Sequence, residues 1–263
     1  MNNYRPTFLN NIPPVVKNII IINVILLLAT NLTPGLFARL GSDTNLNNIL
    51  GMHYWQSSNF NPVQLVTYMF MHGGLAHIFF NMFALYMFGS VLENFWGSRR
   101  FLIYYMITGI GAGIIQQIFW TIDFNPIISS LNEAISSNSG SVLLNHQDTL
   151  GQYFRLENVS LLKSPEIIEM KKIFLNLPIT VGASGAVFGL LLAFGWLFPE
   201  QKLFVFPIPF PIKARIFVLI YGVAELSLGV VKFSGDNIAH FAHLGGMLFG
   251  AILILYWKRK NVL

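Results

Sequence analysis

Six long apolar runs constrain this chain most. Each is close to the roughly 20 residues a helix needs to cross the hydrocarbon core of a bilayer. They cover Val15–Leu32, His72–Leu92, Phe101–Trp120, Gly182–Phe198, Ile212–Val231 and Ile238–Trp257. Composition agrees: 54% of the 263 residues are hydrophobic and 10% are charged, against roughly 25% charged in an ordinary soluble domain. Too little polar surface remains to face water on every side. Within lipid a helix satisfies its backbone polar groups internally, which suits runs of this length. The chain therefore reads as an all-α membrane protein. Residues 1–14 form a cytoplasmic N-terminal segment, 15–257 a six-helix bundle and 258–263 a basic tail.

Basic residues set the orientation, because Lys and Arg accumulate on the cytoplasmic side of short loops. A net charge of +5 does not point to nucleic acid here, because the cations stand at the ends of apolar runs, so their partner is the membrane surface. With the N-terminus inside, Arg5, Lys17, Arg99, Arg100, Lys202, Lys213, Arg215, Lys258, Arg259 and Lys260 share the cytoplasmic side. Both termini are then cytoplasmic. No signal-peptide or transit-peptide pattern is seen, which points to a bacterial inner membrane with the first run retained. Cysteine is absent, which excludes disulfides and thiol chemistry.

Two loops face outside, residues 33–71 and 121–181. The first carries Trp55, Phe60 and Pro62, aromatics and a proline suited to an interface. The second is long enough for structure of its own. There Ser164 reads as an N-cap, Pro165 as a first-turn proline and Glu166 as an acid favoured by the helix dipole. Ile167, Met170, Ile173, Phe174 and Leu177 follow at helical spacing. The expectation is an interfacial helix on the outer leaflet; the alternative is a soluble helix packed on the loop's own residues. Phe206 to Pro211, with proline at every second position, cannot be helical and makes the inner turn between runs four and five.

Polar and ionisable groups are expensive in hydrocarbon, so each one within a run is a candidate for function. They are His72, His77 and Asn81 in run two, Ser184 in run four, Glu225 in run five, and His240 and His243 in run six. Runs two, four and six all pass from outside to inside. His77 and His243 lie about five residues in and Ser184 two or three, so at about 1.5 Å per residue all three sit roughly 3–8 Å below the outer helix ends. Small residues continue from the two central ones: Gly189 and Ala193 after Ser184, Gly246 and Gly250 after His243. Alone, such a stripe is ordinary membrane packing; here both begin at side chains of equal depth, and they let two backbones approach closely.

Close approach is what a Ser–His hydrogen bond requires. A serine hydroxyl is a weak nucleophile until a base takes its proton, and neutral histidine is the usual base. With no acid at matching depth, Ser184 and His243 form a dyad. The tetrahedral intermediate also needs donors. Backbone N–H groups of Ser184 and Gly185 at a helix start lack intrahelical acceptors. His77 and Asn81, at i and i+4, add side-chain donors, or by themselves make an interhelical hydrogen-bond pair.

These residues also carry a resemblance. Gly182-Ala183-Ser184-Gly185 resembles the GxSG nucleophile motif of rhomboid intramembrane proteases. His243 with Gly246 and Gly250 resembles their HxxGxxxG helix. The stretch from His72 through His77 to Asn81 is similar to their second span, and Glu93 to Ser98 to the turn after it. The matches run in family order from about residue 64 to residue 251. The resemblance implies a six-transmembrane-helix rhomboid-like bundle with a long extracytoplasmic loop between helices 3 and 4. It implies cleavage of single-span membrane protein substrates near the outer face, with no metal and no cofactor. Ser184 is then the nucleophile and His243 the general base, with His77, Asn81, Ser184 and Gly185 forming the oxyanion hole. Three features depart from the family's pattern: Val63 and Gln64 replace a Trp-Arg pair, Phe188 stands where Tyr is frequent, and the 121–181 loop is longer than in compact members.

The other polar residues receive plainer expectations. His240 lies near the cavity rim, three residues before the preferred base. His72 anchors a loop, Glu93 contacts Arg99 or Arg100, and Glu225 is a hydrogen-bonded or protonated acid in the bundle. His53 and His146 receive no role. A rhomboid-like pseudoprotease, binding membrane clients without cutting, has no need of both Ser184 and His243. A transporter places its polar residues at the midplane in paired broken helices. A metal site from His72, His77, His240 and His243 lacks an acid and a standard spacing.

Overall fold

The computed structural model describes residues 12–39, 45–154, 158–205, 209–231 and 239–261. Its principal helices are α1 (Pro14–Arg39), α2 (Leu75–Trp96), α3 (Ser98–Ser136), α4 (Ser164–Asn176), α5 (Ser184–Leu197), α6 (Ala214–Val231) and α7 (His240–Arg259). Five of them, α1, α2, α3, α6 and α7, are long and apolar enough to cross a bilayer, and α5 is a shorter apolar helix of 14 residues. The chain is a multi-pass, all-α membrane protein. β structure among the described residues is confined to two-residue strands.

The chain divides into two compact units. The first is built from the chain up to Gly51, Val63–Gln116 and Thr180 onward. Within it α5 is apolar all round, and Gly185 to Leu191 are each buried, as befits a central helix. By contrast α6 exposes Leu219, Ile220, Val223 and Val230, the apolar surface that lipid covers. α2 begins at Leu75, later than the expected His72, and includes one π turn at Leu85–Gly89.

Buried Glu93 ties two helix starts together. Its carboxylate accepts from the N–H groups of Val15 (2.9 Å) and Val16 (2.8 Å) at the head of α1 and from the Ser98 hydroxyl (2.6 Å) at the head of α3. The expected contact with Arg99 or Arg100 is thus replaced by caps, which suit an acid near helix N-termini. In the first loop Gln64 takes over anchoring: its amide donates to the Ile49 carbonyl at 3.1 Å, and the Thr67 hydroxyl donates to that of Leu50 at 2.6 Å.

The turn between α5 and α6 is a short antiparallel pairing, Lys202 opposite Lys213 and Leu203 opposite Ile212. Part of the proline-rich stretch from 206 lies outside the described residues. Exposed Glu200 pairs with Lys213 at 2.7 Å and Arg215 at 3.0 Å. The hydrogen bond from Lys213 holds the Glu200 carboxyl below the usual carboxylate range.

The second unit comprises Met52–Pro62 and Gln117–Ile179. Here two expectations change. α3 does not stop near Trp120 but runs on to Ser136, and Ile127, Ile128, Leu131 and Ala134 on that extension are core residues. Helix α4 packs Ile167, Met170 and Phe174 into the same core. Part of its apolar side thus meets protein, as in the alternative, while Ile168, Ile173 and Leu177 stay exposed. The N-cap is Lys163, whose N–H donates to Glu166 at 2.8 Å. Ser164 instead donates its hydroxyl to the Ile135 carbonyl (2.6 Å) and its N–H to Asn138 Oδ1 (2.9 Å). From the first loop, Tyr54 completes the core, its ring edge-on to Trp120 and Phe124. Gln117 fastens that segment by donating to the His53 carbonyl (2.6 Å) and accepting from the Trp55 N–H (3.0 Å).

Candidate active site

α5 starts at Ser184 because of the two residues before it. Gly182 has φ +132°, a backbone region that L side chains rarely adopt. A Cβ there would also lie 2.8 Å from His77 Nε2. The Gly182 N–H donates to the Tyr68 carbonyl at 2.9 Å, which fixes the approach. The first bond of the new helix runs from the Val187 N–H to the Ala183 carbonyl. The N–H groups of Ser184 and Gly185 precede the first intrahelical donor, Val187, and so have no acceptor within the helix.

α7 is held against α5 by glycine. A Cβ on Gly246 would overlap the Gly185 carbonyl oxygen, and one on Gly250 would meet the Tyr104 hydroxyl and stand 3.5 Å from Gly189 Cα. The small-residue stripes thus face each other, and His243 Nε2 comes to 2.8 Å from Ser184 Oγ. The imidazole lies flat on Phe188, ring centroids 4.2 Å apart and planes 6° from parallel. Tyr221 of α6 stacks in turn on Phe188.

On the opposite edge of the ring, His243 Nδ1 is 2.8 Å from Glu225 Oε2. The same oxygen is 2.6 Å from His240 Nδ1. The expectation that no acid stands at this depth is therefore corrected. The signal was available: Glu225 lies six residues before the outer end of its run at Val231, about 9 Å at 1.5 Å per residue, which is within about one residue's rise of the level of His243. His240 is corrected too: it is buried at 5% exposure and bonded to Glu225, not at a rim.

Of the expected oxyanion donors, His77 is placed beside the serine. Its Nε2 and Cε1 crowd the vacant side of Gly182, and its Nδ1 accepts from the Gly73 N–H at 3.4 Å. Asn81 lies one turn deeper on α2 and donates to the His77 carbonyl at 3.0 Å. One of its two N–H groups is thus used within its own helix.

The family model described as the Rhomboid domain matches residues 59–124 and 129–260. The chain belongs to the rhomboid family. Similar proteins include an uncharacterized mitochondrial rhomboid protein of Schizosaccharomyces pombe, 27% identical over 229 residues, covering 80% of this chain and 57% of the relative. Rhomboid protease AarA of Providencia stuartii is 23% identical over 187 residues, covering 70% and 52%. Rhomboid protease GluP of Bacillus subtilis is 39% identical over 56 residues, covering 21% and 11%. The chain thus spans little more than half the length of the first two relatives. Rhomboid membership supports intramembrane protease-like function.

The remaining polar residues of this rhomboid sort around that centre. His72 links to the first loop through its backbone, whose carbonyl accepts from Asn47 Nδ2 at 3.4 Å, while its buried ring sits edge-on to His77 at 5.0 Å. Glu225, His240 and His243 offer three donor atoms within 4.8 Å of one another, so an acid does accompany two of the four histidines weighed for a metal. Hydrogen bonds among the three already occupy those atoms, and His243 spends its other nitrogen on Ser184. His53 and His146 lie in the second unit, where the His146 ring bonds the Ser130 hydroxyl at 3.1 Å.

Proposed function

We propose that this chain is an intramembrane serine endopeptidase that cleaves single-span membrane substrates near the outer membrane face. The observation that carries the proposal is the 2.8 Å contact between Ser184 Oγ and His243 Nε2, formed within a membrane bundle. Ser184 attacks the scissile carbonyl as His243 takes its proton. The oxyanion is met by the N–H groups of Ser184 and Gly185, with side-chain donors from His77 and, after release from its helix, Asn81. His243 then protonates the departing amine, and water repeats the cycle on the acyl-enzyme. These steps draw on no metal or cofactor.

A non-cleaving, client-binding rhomboid is the second reading, and Ser184 meeting His243 weighs against it. The proposed orientation has both termini cytoplasmic, on the distribution of Lys and Arg. Since the chain has no cysteine, single introduced cysteines can map that orientation directly.

The deciding experiment reconstitutes the chain in liposomes with a transmembrane reporter. Wild type is expected to cut it, Ser184→Ala and His243→Ala to abolish cutting, and a fluorophosphonate to label wild type at Ser184. Cutting that survives Ser184→Ala defeats the mechanism.

A further inference from the structure

We propose that Glu225 is a positioning residue for His243, so that the site works as serine, imidazole and acid in series, with His240 holding the acid in place. This rests on the protease reading above. A neutral imidazole carries one ring proton, and the base that serves Ser184 must leave Nε2 bare. Nothing in a two-residue dyad dictates that choice. The carboxylate does: it only accepts, so with Oε2 at 2.8 Å from Nδ1 the proton belongs on Nδ1 and the lone pair on Nε2.

Ring orientation follows from the same contact. Phe188 fixes the plane of His243, but a face-on neighbour tolerates a half-turn of the ring, which would turn carbons toward both Ser184 and Glu225. The hydrogen bonds at the two edges oppose that flip. Glu225 is itself held, since Oε2 also receives the His240 Nδ1–H at 2.6 Å. The side chains of His240, Glu225 and His243 are 6%, 6% and 10% exposed, so water is a poor substitute for any of these bonds.

Three helices meet here. α6 supplies Glu225 and, one turn earlier, Tyr221; α7 supplies both histidines; α5 supplies Ser184. Among the described residues, the other titratable side chains around this centre are Tyr221, stacked on Phe188, and His77 of α2, beside Gly182 on the far side of Ser184, with His72 edge-on to His77. In acylation the Ser184 Oγ–C bond forms as the hydroxyl proton passes to His243 Nε2. The C–N bond then breaks as that proton passes to the leaving amine. Glu225 stays ionised throughout, keeps the Nδ1 proton in place and faces the transient imidazolium.

The test compares wild type, Ser184→Ala, Glu225→Gln and Glu225→Asp as full chains in liposomes. It measures kcat and KM on the reporter, the rate of fluorophosphonate labelling, and the melting temperature in detergent. Glutamine keeps the shape but can donate to Nδ1, which forces the wrong tautomer. The expected loss in kcat is on the order of 10²–10⁴-fold, with labelling slowed in parallel and KM little changed. Aspartate keeps the charge and is expected to recover at least about tenfold over glutamine. If Glu225 merely pins α6 to α7, the glutamine variant cuts at the wild-type rate, or aspartate gives no rescue; either result overturns the proposal. If the glutamine variant does not fold, folded Glu225→Asp decides: measurable cutting supports the role and complete loss overturns it. Wild type inert toward both reporter and probe overturns the protease reading, and the role of Glu225 with it.

Discussion

Gly246→Ala adds one methyl group where α7 meets backbone of α5. The new Cβ overlaps the Gly185 carbonyl oxygen, and a carbonyl within a helix cannot swing aside as a side chain does. Cβ atoms essentially never come within 3.0 Å of such neighbours, so close-packed helices must part by on the order of 1 Å. His243 is one turn from that contact, and its 2.8 Å bond to Ser184 opens to about 3.8 Å, past hydrogen-bonding range. A 1 Å misplacement costs roughly 10²-fold in rate, while overpacking costs about 1–3 kcal/mol of stability. Gly246→Ala is thus expected to fold yet cut the reporter about 10²-fold more slowly. Gly250→Ala serves as internal control, because its Cβ meets mainly the hydroxyl end of Tyr104, so its loss is smaller. Reporter cleavage in liposomes and a detergent melting curve provide both readings. A wild-type rate for Gly246→Ala, or equal losses in the two variants, refutes the idea that this backbone contact sets the Ser–His distance.

Gly182→Ala places a side chain at φ +132° against His77. Backbone strain of about 1–3 kcal/mol should appear as a lowered melting temperature together with slower cleavage. Phe188→Leu removes the ring face under His243; such a pairing is worth about 0.5–1.5 kcal/mol, so kcat should fall by about two- to tenfold with KM unchanged in steady-state assays. Glu93→Ala strips the caps from Val15, Val16 and Ser98. It should lower stability by about 1–3 kcal/mol while fluorophosphonate labelling of the folded fraction stays at the wild-type rate.

The meeting of Ser184 and His243 was legible because depth and glycine register are both properties of a helix's own sequence. Glu225 was also legible by depth, but run five travels the other way, so its level must be counted back from the run's C-terminal end. What covers an apolar face was not legible. Ile167, Met170 and Phe174 have the same periodicity whether lipid or protein lies opposite, and the partner turned out to be Ile127, Ile128 and Leu131. Those residues were themselves concealed: Asp123, Pro126 and Glu133 end a membrane run without ending a helix, so α3 continues past Trp120. The role of Gln64 depends on an acceptor in the backbone of Ile49, which no side-chain pattern announces.

The second unit draws on two separated stretches of chain, Met52–Pro62 and Gln117–Ile179. Excising residues 121–181 to imitate a shorter homologue would therefore strand the first stretch. Tyr54, now fully buried, would lose its neighbour Phe124 and most of the core around it. Any minimised version must redesign both pieces at once, or accept a sticky aromatic at the truncation scar.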